Sequence, residues 1–273
     1  DRFFYAWVAE QALVIEHKES QQETATAWQL NANRKADGAP HGHWLSLCEK
    51  LRRFRPKHPV HGILLLLDLS WFAQAEPTEQ QQLAKQVSKT LREISAQLQT
   101  HTRLYVCATH LESIAGYHAW HRQLGAHGAE TLLGTHFSQR TPSEWQLELS
   151  AFWQQWNRQL DKDQPQLLTQ AANLEVREGL FEFQQQIRQL WSITSQWLAS
   201  LIQPSQSIEM RGFFLGSHGV YSAQASDPQQ ALNQHYQLLG ENGALAPETP
   251  TAVCLSVLFE EALIPEVTST PIA

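Results

Sequence analysis

A mainly parallel α/β sheet flanked by helices, with an added helical subdomain and a helical C-terminal tail, is the fold class this sequence predicts. Three observations predict it. Ile63–Leu67 is a run of five consecutive aliphatic residues, the signature of a strand covered on both faces as in a parallel sheet. A long amphipathic stretch, Glu79–Leu98, separates it from a second apolar strand, Arg103–Ala108, and strand, helix, strand at this spacing calls for a crossover connection. From Thr141 onward the pattern changes to long helices. The 273 residues allow about two structural units. The division expected is an α/β part over 1–140 and 203–225, a helical subdomain over 141–202, and a tail over 226–273.

Each element has its own signal. Trp7–Ile15 closes on Ala12-Leu13-Val14-Ile15, short and apolar enough for a buried strand. His43–Phe54 places Trp44, Leu47, Cys48 and Leu51 on one helical face and Lys50, Arg52 and Arg53 on the other, and Pro56 and Pro59 stop it. Pro77-Thr78 opens the helix over Glu79–Leu98, whose stripe is Leu83, Val87, Leu91, Ile94 and Leu98. Pro142 sits in the first turn of a helix carrying Trp145, Leu149, Phe152, Trp153, Trp156 and Leu160. A second runs over Leu174–Leu201, and Arg211–Leu215 returns to strand. Asp227–Asn242 and Val253–Leu263 read as shorter helices, the latter ended by Pro265. The glutamine clusters Gln80–Gln82 and Gln184–Gln186 lie within amphipathic helices and read as solvated faces.

Composition narrows the function classes. With 42% hydrophobic and 17% charged residues the chain is neither disordered nor a coiled coil. A net charge of −7 argues against nucleic acid or anionic lipid as the main partner, since both need a dense Lys/Arg face. Cys48, Cys107 and Cys254 are far apart among apolar neighbours, so buried thiols are expected, with neither a disulfide framework nor zinc spacing. Asp1 begins a stretch without basic and apolar leader regions, and no signal peptide is expected. The longest apolar stretch, Gly62–Ala73, is interrupted by Asp68 and falls short of the roughly 20 residues of a membrane span.

The usual catalytic motifs are missing. No G-x-x-x-x-G-K-[ST] loop, nucleophile elbow, H-E-x-x-H helix or G-x-G-x-x-G turn occurs in the sequence. No catalytic residue, metal or cofactor is therefore expected. His110, Glu112, His118 and His121 invite a metal reading, but thirteen histidines make chance clustering ordinary. His41, His43, His58 and His61 fall in turn-rich segments and read as solvated. Arg52, Arg53, Arg55 and Lys57 read as a solvated helix end complementing its dipole. Asp68 reads as an N-cap or turn residue, and Asp161 with Asp163 as a helix-ending loop. The tryptophans Trp145, Trp153, Trp156, Trp191 and Trp197 fit core packing between helices, and also fit a patch for a partner protein.

Five ordered segments, spread over nearly the whole chain, resemble the cytoplasmic part of the IcmF/TssM family. They are Ala12-Leu13-Val14-Ile15-Glu16-His17-Lys18-Glu19, then Trp44-Leu45 leading through Leu51 to Gly62, and Thr109-His110-Leu111-Glu112-Ser113-Ile114-Ala115-Gly116-Tyr117. Arg211-Gly212-Phe213-Phe214 and Leu258 to Glu266 complete them. The resemblance implies an inner-membrane component of type VI secretion systems, with a relative in type IVB systems. This stretch would be a GTPase-like cytoplasmic domain lying between transmembrane helices of its parent.

The departures from that family are concentrated where nucleotide would bind. The family's D-T-A-G is here Glu16-His17-Lys18-Glu19, and the Glu19 carboxylate would repel a γ-phosphate while its Cβ crowds the backbone approach. The family's T-K-x-D is here Thr109-His110-Leu111-Glu112. His110 lacks the aliphatic stem that packs along a base, and Glu112 is one methylene too long. Gly216-Ser217 resembles the last base-contacting loop. Glu16, Glu19, Thr109, His110, Glu112, Gly216 and Ser217 are thus degenerate nucleotide-motif positions with no nucleotide expected. The function implied is a scaffold on the cytoplasmic side of the bacterial inner membrane, linking the membrane complex to cytoplasmic parts. The partners implied are a TssL/DotU-like membrane subunit and baseplate proteins, with self-association open and no nucleic acid. The alternative is a GTPase or ATPase whose P-loop lies upstream of this stretch.

Overall fold

The computed structural model describes residues 4–8, 13–17, 41–56, 59–121, 133–138, 142–202 and 208–217. Two short strands come first, β1 (Phe4–Val8) and β2 (Leu13–His17), paired antiparallel from Val8↔Leu13 to Phe4↔His17. They form a two-stranded sheet of their own. The single buried strand expected over Trp7–Ile15 is therefore corrected to a hairpin. The aromatic run Phe4-Tyr5-Ala6-Trp7-Val8 is itself strand-prone, so the aliphatic run becomes its return arm.

Helix α1 (His41–Phe54) begins two residues earlier than the sequence implied, which puts His41 and His43 inside a helix and not in a turn. Arg52 and Arg53 occupy its last turn, where cations complement the helix dipole. Strand β3 (Ile63–Asp68) runs directly into the one-turn helix α2 (Leu69–Phe72), and α3 (Pro77–Leu98) crosses back to β4 (Thr102–Thr109). Pro77 sits at the start of α3, and Glu79 accepts from the Glu76 N–H at 3.0 Å, so the first turn is satisfied on its own residues. Strand β5 (Leu133–His136), the long helices α4 (Pro142–Gln170) and α5 (Leu174–Leu201), and β6 (Ile208–Leu215) complete the described chain.

The four strands β3 to β6 form one sheet in the order β3-β4-β6-β5. β3 and β6 both run parallel to the central β4, while β5 lies antiparallel to β6, so the sheet is mixed. β5 was not foreseen, because Leu-Gly-Thr-His carries no aliphatic run. β3 lies at an edge, and this corrects the expectation of a strand covered on both faces: Leu66 is 54% exposed, whereas Leu67 is buried. β4 has neighbours on both sides, and Leu104 to Ala108 are buried without interruption.

Leu67, Leu104, Val106, Ala108, Phe213 and Leu215 join Val87 and Leu91 of α3 and Leu149, Leu160, Phe183 and Leu198 of α4 and α5 in one core. Trp145, Trp156 and Trp197 are buried in it, and Trp153 stacks on Trp191 at 4.3 Å between ring centres and 7° between planes. The aromatic series thus packs the helices together and onto the sheet. α4 continues through Pro165 to Gln170, so Asp161 and Asp163 lie within a helix and not in a loop. Asp161 accepts from the Arg188 guanidinium of α5, and Asp163 from Gln159 one turn earlier. Gln80 and Gln184 are buried, unlike their exposed neighbours in each cluster. Each uses its side-chain amide to donate to a main-chain carbonyl, Gln80 to Phe72 at 2.9 Å and Gln184 to Leu160 at 3.0 Å. The expected helices over 227–242 and 253–263 lie outside the described residues.

Cys48 packs against Ile94 and Leu98, and Cys107 against Tyr105 and Phe214. Burial pushes the Cys48 thiol up to about 11, partly offset by a backbone hydrogen bond, and the Cys107 thiol to about 12, from an ordinary 9.0. At neutral pH this leaves roughly a hundredfold and a thousandfold less thiolate than in an unfolded chain. In a Cys254→Ser background, a thiol reagent is expected to label neither cysteine until the protein unfolds. Both folded values exceed the unfolded one, so the contribution to stability is complete below pH 9.0 and is lost as pH rises towards 11 to 12. Denaturation midpoints measured on either side of pH 9.0 check that sign.

Candidate functional site

The three parallel strands end together: β3 at Asp68, β4 at Thr109 and β6 at Leu215. This carboxyl edge is where open α/β sheets hold ligands. Strand register sets Asp68 opposite Thr109, although they are far apart in sequence. Asp68 caps α2, accepting the Ser70 N–H at 2.9 Å and the Ser70 hydroxyl at 2.6 Å on the same Oδ1. That oxygen also lies 3.3 Å from His110 Nδ1. The Thr109 hydroxyl is 3.2 Å from the same Nδ1 and donates to the Leu67 carbonyl at 3.3 Å.

His110 takes a left-handed backbone conformation, φ 61° and ψ 40°, and the chain then winds into a 3-10 turn over Leu111–Ser113. Leu111 is fully buried and pins the turn to the core. Its N–H donates to the Gly216 carbonyl at 3.1 Å, and the Gly216 N–H donates to Ala108 at 2.8 Å, which sews the end of β6 to the end of β4. The Ser113 N–H is likewise bound to the His110 carbonyl at 3.0 Å. Ser217 is buried beside Tyr117. Burial pushes the Tyr117 phenol up, with the Ser217 hydroxyl opposing and the Glu112 carboxylate adding to the rise. The phenol oxygen is buried and makes no hydrogen bond of ordinary geometry among the described residues.

Of the positions singled out in the sequence, Thr109, His110, Glu112, Gly216 and Ser217 therefore come together at one sheet edge. Glu16 lies on β2, opposite Tyr5 in the separate hairpin, and Glu19 lies outside the described residues. His118 meets Tyr117 edge-on at 5.6 Å between ring centres, and His121 stacks on it at 5.4 Å. Among the described residues no group of three or more His, Cys, Asp or Glu is placed to hold a metal. Asp68 took its expected N-cap role, but its contact with His110 was invisible, because only strand register brings the two together. Ser70 was not read as part of the cap, and the signal that could have found it is the Asp-x-Ser spacing of Asp68 and Ser70.

Several main-chain amides of the edge are committed within the chain. An anion cradle needs successive main-chain N–H groups free to point at a ligand, and those of Ser70, Leu111, Ser113 and Gly216 are bound internally. The fixed charges near it, Asp68 and Glu112, are of the sign that repels phosphate. The Ser70 hydroxyl meets the Asp68 carboxylate and the Thr109 hydroxyl meets His110 Nδ1. The visible work of the Asp68–His110 pair is to tie α2 to the turn after β4. Asp68→Ala is expected to cost about 1 kcal/mol of stability and Asp68→Asn a fraction of that, measured by denaturant unfolding. A groove of about 580 Å³ lies elsewhere, between β5 and α4, lined by Gly134, Thr135, Glu148, Phe152 and Gln155. Glu148 there is engaged by the Ser138 N–H and hydroxyl, each at 3.0 Å.

A family model, that of the IcmF-related N-terminal domain, matches residues 38–270. No curated protein and no solved structure matches the chain. No helix among the described residues is long and apolar enough to cross a membrane.

Proposed function

We propose, from the premise that this chain belongs to the family of the IcmF-related N-terminal domain, that it is a docking platform of a type VI secretion complex. It works on the cytoplasmic side of the inner membrane as a GTPase-like scaffold whose nucleotide site has decayed. The observation that carries the reading is the internal bonding of the sheet edge. The amides of Leu111 and Gly216 are bound to Gly216 and Ala108, and the carboxylates of Asp68 and Glu112 lie at the same edge. With those amides spent on internal bonds, the work left to the domain is recognition of other proteins.

The surface offered to them is on the long helices. Leu174 and Phe181 lie seven residues apart on one face of α5, 68% and 51% exposed. Their partner would be a TssL/DotU-like subunit, with baseplate proteins further out. The test has two arms. Calorimetric titration with magnesium GTP and ATP is expected to show no binding, and micromolar affinity would return the enzyme reading. Co-precipitation with the TssL-like subunit is expected to fall at least tenfold in Leu174→Glu/Phe181→Glu. Retention of binding by that variant would remove α5 as the docking face.

A further inference from the structure

The last turn of α1 stands clear of the body. At about 3.6 residues per turn, four consecutive residues face every side of a helix, so one lying on a core buries at least one of any four. Arg52, Arg53 and Phe54 at the end of α1 are exposed, Phe54 at 81%, as are Arg55, whose N–H still donates to the Leu51 carbonyl at 2.8 Å, and Pro56 beyond it, although Cys48 earlier in the helix is buried against Ile94 and Leu98. The helix therefore docks by its middle and projects its end. Arg55 reaches His61 at 3.4 Å. Arg52, Arg53 and Arg55 make no ion pair with a carboxylate among the described residues. In sequence, five of the eight residues Lys50–Lys57 are basic, within a chain of net charge −7.

A single phenyl ring among guanidinium groups combines a small apolar tip with clustered positive charge, and it needs no matching pocket in a fluid interface. Screening over about 10 Å lets this local cluster act apart from the net charge of the chain. We propose that the end of α1 seats on a bilayer of anionic phospholipid, with Phe54 at the boundary of headgroup and acyl chain and Arg52, Arg53 and Arg55 on headgroup phosphates. This rests on α1 alone and stands whether or not the docking-platform reading holds.

The full chain is expected to co-sediment with vesicles of phosphatidylglycerol and phosphatidylethanolamine, to release as sodium chloride rises, and to leave phosphatidylcholine vesicles unbound. Arg52→Gln/Arg53→Gln should weaken binding about 25-fold, at about fivefold for each arginine near the surface. Phe54→Ser should weaken it about tenfold, and Phe54→Trp should restore it. All these positions are exposed, and an unchanged denaturation midpoint verifies the fold of each variant. Failure to sediment with the phosphatidylglycerol vesicles, equal binding to phosphatidylcholine, or unaltered binding by the double arginine variant overturns the proposal. Capture by polyglutamate at least as tight as by the anionic vesicles does so too, and reassigns the patch to an acidic protein.

Discussion

Gly116→Ala is expected to lower stability by about 2–5 kcal/mol, a large share of the 5–15 kcal/mol that holds a typical domain together. Two costs add. Gly116 has φ +76°, a left-handed conformation that a side chain makes unfavourable by about 1–2 kcal/mol. A Cβ there would also lie 1.9 Å from the Gly179 carbonyl oxygen of α5 and 2.8 Å from the Phe183 nitrogen. Helix backbone cannot move aside as a flexible side chain can, so the crossing must open. Behind it Trp120 stacks on Phe183 at 4.7 Å and Tyr117 meets the same ring edge-on, and these contacts open with it. Gly179→Ala is the milder partner experiment, because its Cβ would crowd the Ala119 Cβ at 2.9 Å and meet the Gly116 Cα at an ordinary 3.6 Å. Ala119→Gly should then recover most of that loss, and no comparable change nearby should rescue Gly116→Ala. Thermal unfolding reads the difference as a fall of about 5–15 °C for Gly116→Ala. A fall within about 2 °C would mean that the crossing is looser than the geometry drawn here.

Gly116 also shows what the sequence could and could not reveal. It stands in the segment Thr109–Tyr117 that carried the family resemblance, so the position was legible, but its reason is a contact with α5, more than sixty residues later. Long periodic elements were readable because their signal is local: the stripes that predicted α3 and α5 end at Leu98 and Leu201. α4 ran on past Leu160 because Pro165 is accommodated within it. β5 was invisible, since Gly134 and His136 make a strand only by pairing with Phe214 and Gly212 of a strand already formed. The sheet edge was half legible. His110 and Glu112 stood out in the sequence as departures from the family's pattern, whereas the contact from Asp68 to His110 depends on the β3–β4 register. Gln80 and Gln184 were misread for the same reason, as a buried amide is distinguishable from a solvated one only by the carbonyl it finds.

Trp197→Ala is expected to cost about 3–5 kcal/mol, the usual loss for truncating a buried tryptophan, and its consequences should reach the sheet edge. Trp197 is 5% exposed, and its indole N–H donates to the Gln80 carbonyl at 3.0 Å. Its ring meets Phe72 edge-on at 5.5 Å. The Gln80 amide donates onward to the carbonyls of Phe72 at 2.9 Å and Ala75 at 3.2 Å. Phe72 closes α2, and α2 starts from the Asp68 that meets His110. One buried chain of contacts thus joins α5, the helix that carries Leu174 and Phe181, to the carboxyl edge of the sheet. Trp197→Phe keeps the ring packing and leaves the main-chain Gln80 carbonyl to its helical bond within α3, so it should cost about 0.5–1.5 kcal/mol. Gln80→Leu should cost a similar amount by freeing two carbonyls. If the contacts form one unit, the Trp197→Phe/Gln80→Leu double variant should cost at least 0.5 kcal/mol less than the sum of the singles. Strict additivity would mean that helix and edge respond independently, and a partner on α5 would then have no route through these contacts to the sheet edge.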